Sequence, residues 1–166
     1  RLECAAIKTR QGTWHATNIW EAGMAGSEIT IAGADGEFMG YLAMPASGTS
    51  PGVVVIQEIF GVDPHIESVA SRFADAGFFA VAPELFHRAG DGVVVPYADT
   101  EKAFAERGKL NNDGIVADLE ATVGYLRDND DVDADNIGIV GFCYGGRVSY
   151  LAACNVSDIK ASVVYY

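Results

Sequence analysis

Residues 137–147 read Ile137-Gly138-Ile139-Val140-Gly141-Phe142-Cys143-Tyr144-Gly145-Gly146-Arg147. An apolar, β-branched run enters a Gly-x-Cys-x-Gly turn, and Tyr144 to Ala153 beyond it has the composition of a helix. The spacing has a physical cause. A nucleophile on a sharp strand-to-helix turn sits in a strained backbone conformation, and the residues two before and two after it crowd together. Only small side chains then fit at Gly141 and Gly145. The turn thrusts the sulfur out at the carboxyl edge of a sheet and aims the first free N–H groups of the helix at the same point. A thiolate is favoured there by the helix dipole, and the N–H of Tyr144 is placed to bind an oxyanion. Two phosphate-binding patterns fail on the same residues. The dinucleotide fingerprint Gly-x-Gly-x-x-Gly needs glycine where Cys143 stands, and the phosphate loop needs Lys and Ser or Thr where Arg147 and Val148 stand.

Working outward, Val53-Val54-Val55-Ile56, Phe78-Phe79-Ala80-Val81-Ala82 and Ala161-Ser162-Val163-Val164-Tyr165-Tyr166 are further apolar runs. With 137–141 they read as strands buried on both faces, as in a parallel sheet. Helical periods separate them. One opens near Pro64, with Ile66, Val69, Phe73 and Ala76 on a single face, and Gly77 stops it. Another runs from Asp113 to Asp128 on a stripe of Ile115, Leu119, Val123 and Leu126. Residues 84–100 read as a loop carrying Glu84, His87 and Arg88, and Asp128 to Asp135 as an acidic turn. At the front, 28–32 and 39–43 alternate around the turn signal Gly33-Ala34-Asp35-Gly36, which predicts an antiparallel hairpin. Pro45 to Pro51 is a linker.

The predicted architecture is α/β, a mostly parallel sheet with helices on both faces, made mixed by the N-terminal hairpin. The final apolar strand has no covering helix after it, so 24–166 is expected to be an incomplete domain, truncated before its last strands. The chain begins with Arg1, and residues 1–23 show neither period. The expectation is a poorly ordered leader or non-native extension, with Met24 as the true start.

Composition narrows the partners. A chain of 166 residues that is 49% hydrophobic can bury one core. A formal charge of −12, from 23 acidic and 11 basic residues, repels polyanions, so no nucleic-acid partner is expected. No apolar run approaches the roughly 18 residues that span a bilayer, and residues 1–23 lack the apolar core of a secretory signal. Three cysteines are an odd number, which argues against a disulfide framework and for a reducing, cytoplasmic setting. Cys154, beside Ala152 and Ala153, reads as a buried structural thiol; Cys4 receives no role. Without a Cys-x-x-Cys or His-x-x-x-His pair, neither a metal nor a cofactor is expected. His65, at a helix start, is expected at the surface.

A second signal is Gln57-Glu58-Ile59-Phe60-Gly61, directly after the first buried strand. Its carboxylate lies at the carboxyl end of a parallel strand, where open α/β sheets bind ligands. With the turn at Cys143 two strands on, Glu58 becomes a candidate partner for the thiol. These stretches, together with Ala82-Pro83-Glu84-Leu85-Phe86-His87-Arg88 and the ending Val163-Val164-Tyr165-Tyr166, resemble the dienelactone hydrolase (carboxymethylenebutenolidase) family of α/β-hydrolases over Met24 to Tyr166.

The resemblance implies roles where residues match. Cys143 would be the nucleophile, and Glu58 would hold or deprotonate its thiol. The N–H groups of Ile59 and Tyr144 would form the oxyanion hole. Arg88 would grip a substrate carboxylate, with His87 beside it as a pocket-lining or surface residue. The family's triad Asp and His would follow Tyr166, so the chain by itself is expected to be inactive. The implied substrate is a small carboxylate-bearing lactone or ester. A broad carboxylesterase of the same fold and a non-catalytic domain are the alternatives; nothing in the sequence sets an oligomeric state.

Overall fold

The computed structural model describes residues 7–8, 14–15, 26–46 and 48–166. Ile7–Lys8 (β1) pairs antiparallel with Trp14–His15 (β2) in a ladder of its own. The rest of the predicted 1–23 extension, and Met24, lie outside the described residues.

The main sheet has six strands: Ser27–Gly33 (β3), Gly36–Ala43 (β4), Ser50–Ile56 (β5), Phe79–Pro83 (β6), Val132–Phe142 (β7) and Ala161–Tyr165 (β8). Their order is β3-β4-β6-β5-β7-β8. The hairpin closes at Gly33 opposite Gly36, and β4 joins β6 antiparallel, while β6, β5, β7 and β8 are parallel. This is the predicted mixed sheet. Along β5, Val53 and Val55 join one apolar cluster and Val54 and Ile56 the other, so consecutive side chains fill two cores on opposite faces.

Helix Pro64–Asp75 (α1) covers the first face. Asp63 caps it, accepting from the Ile66 N–H at 3.0 Å, and Pro64 supplies the first helical φ. The predicted stripe holds in part. Ile66 and Val69 are buried, but Ala70 and Ala74 take the inner places, Phe73 is half-buried and Ala76 exposed. Ala70 and Ala74 share a cluster with Ala80 and Ala82 of β6, so small groups on both elements allow close approach. Phe73 is left at the margin, edge-on to Phe78 at 5.7 Å.

Helices Asn112–Arg127 (α3) and Tyr144–Asn155 (α4) serve the other core. The α3 stripe is the predicted one, with Asp118 and Thr122 buried beside it. Helix Thr100–Gly108 (α2) was not legible in the sequence. Ala103 is its one buried residue, so no apolar period announces it, although Asp99 caps it through the Lys102 N–H at 3.2 Å.

Two strand expectations are corrected. The acidic turn does not reach Asp135, because β7 begins at Val132, and Val132 and Asp133 pair with Ser50 and Pro51. The register breaks there and resumes at Gly52 opposite Ile137. Asp133 holds the irregularity, accepting from the Asp135 N–H at 3.2 Å and the Asn136 amide at 2.7 Å. β8 pairs parallel with β7 as expected but is not buried: Val163, Val164 and Tyr165 are 45%, 47% and 48% exposed. A groove of about 840 Å³ runs between α1 and the β7–β8 face, with Val69, Phe73, Ile139 and Val163 in its walls.

Candidate active site

The Cys143 backbone stands at φ 55 and ψ −118, at the junction of β7 and α4. A side chain in that region costs about 1–3 kcal/mol and persists only where the surroundings hold it. Here the Cys143 N–H donates to the Tyr165 carbonyl at 3.0 Å, and the Cys143 carbonyl accepts from the Arg147 N–H at 3.3 Å. The thiol is exposed, and the N–H of Tyr144 belongs to the first turn of α4, where no intrahelical acceptor exists.

The glycines on either side act by their lack of a side chain. A methyl on Gly141 would strike the Gly145 carbonyl, and one on Gly145 would lie 2.7 Å from the Gln57 oxygen and 2.8 Å from that of Ile56. That second approach seats the elbow on the end of β5. Gly145→Ala is therefore expected to cost about 3 kcal/mol, the upper range for overpacking, because backbone opposes the new methyl on two sides. A urea midpoint close to that of the parent would refute the packing argument.

The same approach brings the Gln57–Ile59 segment to the elbow. Gln57 is fully buried, and its Oε1 accepts from the Leu85 N–H at 3.0 Å, tying the end of β5 to the turn after β6. Glu58 is half-buried and bridges antiparallel to Gly61. Among the described residues no hydrogen bond joins it to the elbow, and the exposed Cys143 sulfur has no hydrogen-bond partner. Ile59 follows, buried, with its N–H on the same carboxyl edge of the sheet.

Aromatic groups wall this edge. Phe60 meets Tyr97 at 4.3 Å between ring centres, and the Phe60 carbonyl accepts from the Val95 N–H at 2.9 Å. The Tyr97 hydroxyl is pushed up to about 12, first by burial and then by the neighbouring Asp63 carboxylate, with Glu58 adding to the effect. It stays a neutral donor. The Tyr144 ring is buried under the Arg107 guanidinium, 5.4 Å away, a cation–π contact contributed by α2. Burial raises the Tyr144 hydroxyl, against the opposing charges of Arg107 and Arg147.

Arg88 and His87 lie on the 3₁₀ turn Leu85–Arg88, within the stretch read as loop. Both are engaged. Asp118 of α3 accepts from Arg88 Nε and NH2, each at 2.8 Å, and bonds His87 Nε2 at 2.9 Å. Asp35 accepts from Arg88 NH1 at 3.0 Å. The Asp118 hydrogen bonds lead in raising the Arg88 pKa further, so its charge is permanent. His87 is half-buried, and its ring stacks on Phe38 at 4.7 Å. Arg88 reaches the carboxyl edge with part of its fork already occupied. Cys154 is exposed rather than buried, because its position on α4 faces away from the sheet while Ala152 faces in. His65 is exposed as expected. Asp118, Asp35, Tyr97 and Arg107 went unnoticed in the sequence; only Tyr97, an aromatic in a loop after a strand, offered any local signal.

The strand order, with a strained residue at a strand-to-helix elbow over a parallel sheet, defines an α/β-hydrolase fold. A sequence profile of the dienelactone hydrolase family matches residues 38–166. A carboxymethylenebutenolidase of Pseudomonas sp. strain P51 is 36% identical over 135 residues, 79% of this chain and 56% of that protein. A Methylorubrum extorquens protein provisionally named carboxymethylenebutenolidase is 38% identical over 146 residues, 87% of this chain and 50% of its own. The crystal structure of a provisionally named dienelactone hydrolase from Klebsiella pneumoniae superposes with a TM-score of 0.76 at 34% identity, covering 85% of this chain and 59% of that one. The chain belongs to the dienelactone hydrolase family, and it spans about half the length of the curated relatives it matches. No helix of the described residues is long and apolar enough to cross a membrane.

Proposed function

We propose that the protein carrying this chain hydrolyses a small, carboxylate-bearing lactone or ester through a thioester on Cys143. The observation that carries this is the exposed Cys143 thiol, held at φ 55 at the N-terminus of α4, with Gly145 packed on the Ile56 and Gln57 carbonyls just ahead of Glu58. Glu58 takes the thiol proton as substrate enters. The Cys143 sulfur attacks the carbonyl carbon, a C–S bond forms, and the carbonyl electron pair moves to oxygen. The N–H groups of Ile59 and Tyr144 hold that oxyanion. Collapse breaks the C–O bond to the ring oxygen, which departs as an enolate. Water then attacks the thioester, its proton passing to the triad base that the family resemblance implies; the C–S bond breaks, the acid leaves, and the thiolate takes back the proton held by Glu58. Arg88 anchors the substrate carboxylate.

A sulfur nucleophile suits an enol leaving group better than an amine, so enol lactones are the favoured class and amides the less suited one. The acidic surface turns away polyanions, and a reducing compartment keeps the thiol free. The test is mass spectrometry of the full-length protein mixed with an activated ester and quenched early. The expected result is one acyl group on the peptide holding Cys143. Steady turnover without an adduct, at a rate untouched by Cys143→Ala, would refute the thioester.

A further inference from the structure

Two carboxylates grip Arg88, and they differ in kind. Asp118 has a side chain only 2% exposed and takes the Nε–NH2 side of the fork in two bonds of 2.8 Å. Leaving Arg88 would leave that buried carboxylate with His87 as its one side-chain partner and no permanent charge beside it, so this contact holds. Asp35 is 68% exposed and takes one proton of NH1 at 3.0 Å. It sits in the tight turn between β3 and β4, with Gly36 beyond it at φ 128. Swinging its carboxylate into water exchanges one solvated contact for another.

The turn lies on the functional side of the sheet. β4 runs antiparallel to β6 with Gly40 opposite Pro83, so the start of β4 stands at the carboxyl end of β6. The Glu84 N–H donates to the Met39 carbonyl at 3.0 Å and fixes the two together. Asp35 and Cys143 therefore share one edge.

An arginine offers five N–H donors. Asp118 uses Nε–H and one on NH2; Asp35 uses one on NH1. The side of the fork left for a paired carboxylate contact is the NH1–NH2 end, and Asp35 is bonded to NH1, one of its two nitrogens. We infer that Asp35 is a built-in competitor for the carboxylate of an anionic substrate at Arg88, and so sets how strongly the enzyme prefers charged over neutral esters. An incoming carboxylate takes both NH1 and NH2 only after Asp35 has let go. This rests on Arg88 being the substrate anchor.

The test compares two esters with the same leaving group, one bearing a free carboxylate and one its methyl ester, on the full-length protein at low salt. The readout is the ratio of their kcat/KM values, anionic over neutral. Asp35→Asn is expected to raise that ratio by about two- to fivefold, the range set by a solvent-exposed ion pair. The gain comes from a lower KM for the anionic ester and shrinks as salt is added. Arg88→Lys keeps a positive charge against Asp118 but loses the fork; it is expected to lower the ratio and to erase the Asp35→Asn gain in the double variant. If Arg88→Lys lowers the ratio while Asp35→Asn leaves it unchanged or lowers it, Asp35 is no competitor and the anchor role of Arg88 stands. If Arg88→Lys leaves the ratio where it was, Arg88 is not the anchor, and the inference falls with it.

Discussion

Replacing Cys143 by alanine in the full-length protein is expected to lower kcat/KM for ester hydrolysis by at least about 10³-fold, because on the proposed thioester route the loss of the nucleophile leaves only the oxyanion hole and binding to act. The structure separates this loss from any loss of folding. The thiol is exposed and the sulfur holds no hydrogen bond among the described residues, so alanine removes little packing. It keeps the Cβ, and with it the strain of φ 55. Cys143→Gly removes both and is expected to be inactive yet more stable than the parent by about 1 kcal/mol, since glycine enters this region freely. Denaturation of the three proteins side by side decides the point. A glycine variant less stable than the alanine variant would show that the backbone at the elbow is not strained as described.

The second large effect is structural. Asp118→Ala is expected to destabilise the fold by about 3–5 kcal/mol, the range for breaking a buried charge pair from one side. Arg88 and His87, 17% and 19% exposed at their side chains, would lose their common partner. The turn Leu85–Arg88 would then keep Gln57 on the Leu85 N–H, the exposed Asp35 on Arg88 and the Phe38 stack on His87, but no buried charge partner. Asp118→Asn keeps the shape and one acceptor oxygen, so it should cost distinctly less. Urea midpoints at constant slope give both numbers. A cost below about 1 kcal/mol for alanine would mean that the cluster is a surface network, whose pairs contribute little.

The two effects show different degrees of legibility. The elbow was readable because its constraint is local: Gly141, Cys143 and Gly145 are a few bonds apart, and their crowding follows from the turn itself. The buried strands were readable because β-branched runs such as Val53 to Ile56 state their burial residue by residue. The Arg88 cluster carried no such signal. Asp118 bonds Arg88 across 30 positions and Asp35 does so across 53, and nothing in the chain near any of the three marks the pairing. For the same reason the His87–Asp118 bond was not foreseen and α2, with a single buried side chain, was missed.

By itself, then, the sequence determined the α/β order of elements, the elbow at Cys143 and the Glu58 turn at the end of β5, because hydrophobic period and glycine spacing act over a few residues. Only the tertiary structure decided the break in β7 that puts Val132 into the strand and the closeness of Gly145 to the Gln57 carbonyl. It alone set the exposure of Cys154 and the carboxylates on the Arg88 fork. Those outcomes depend on which distant elements pack together, and packing is settled by the summed burial of two cores rather than by any neighbouring residue.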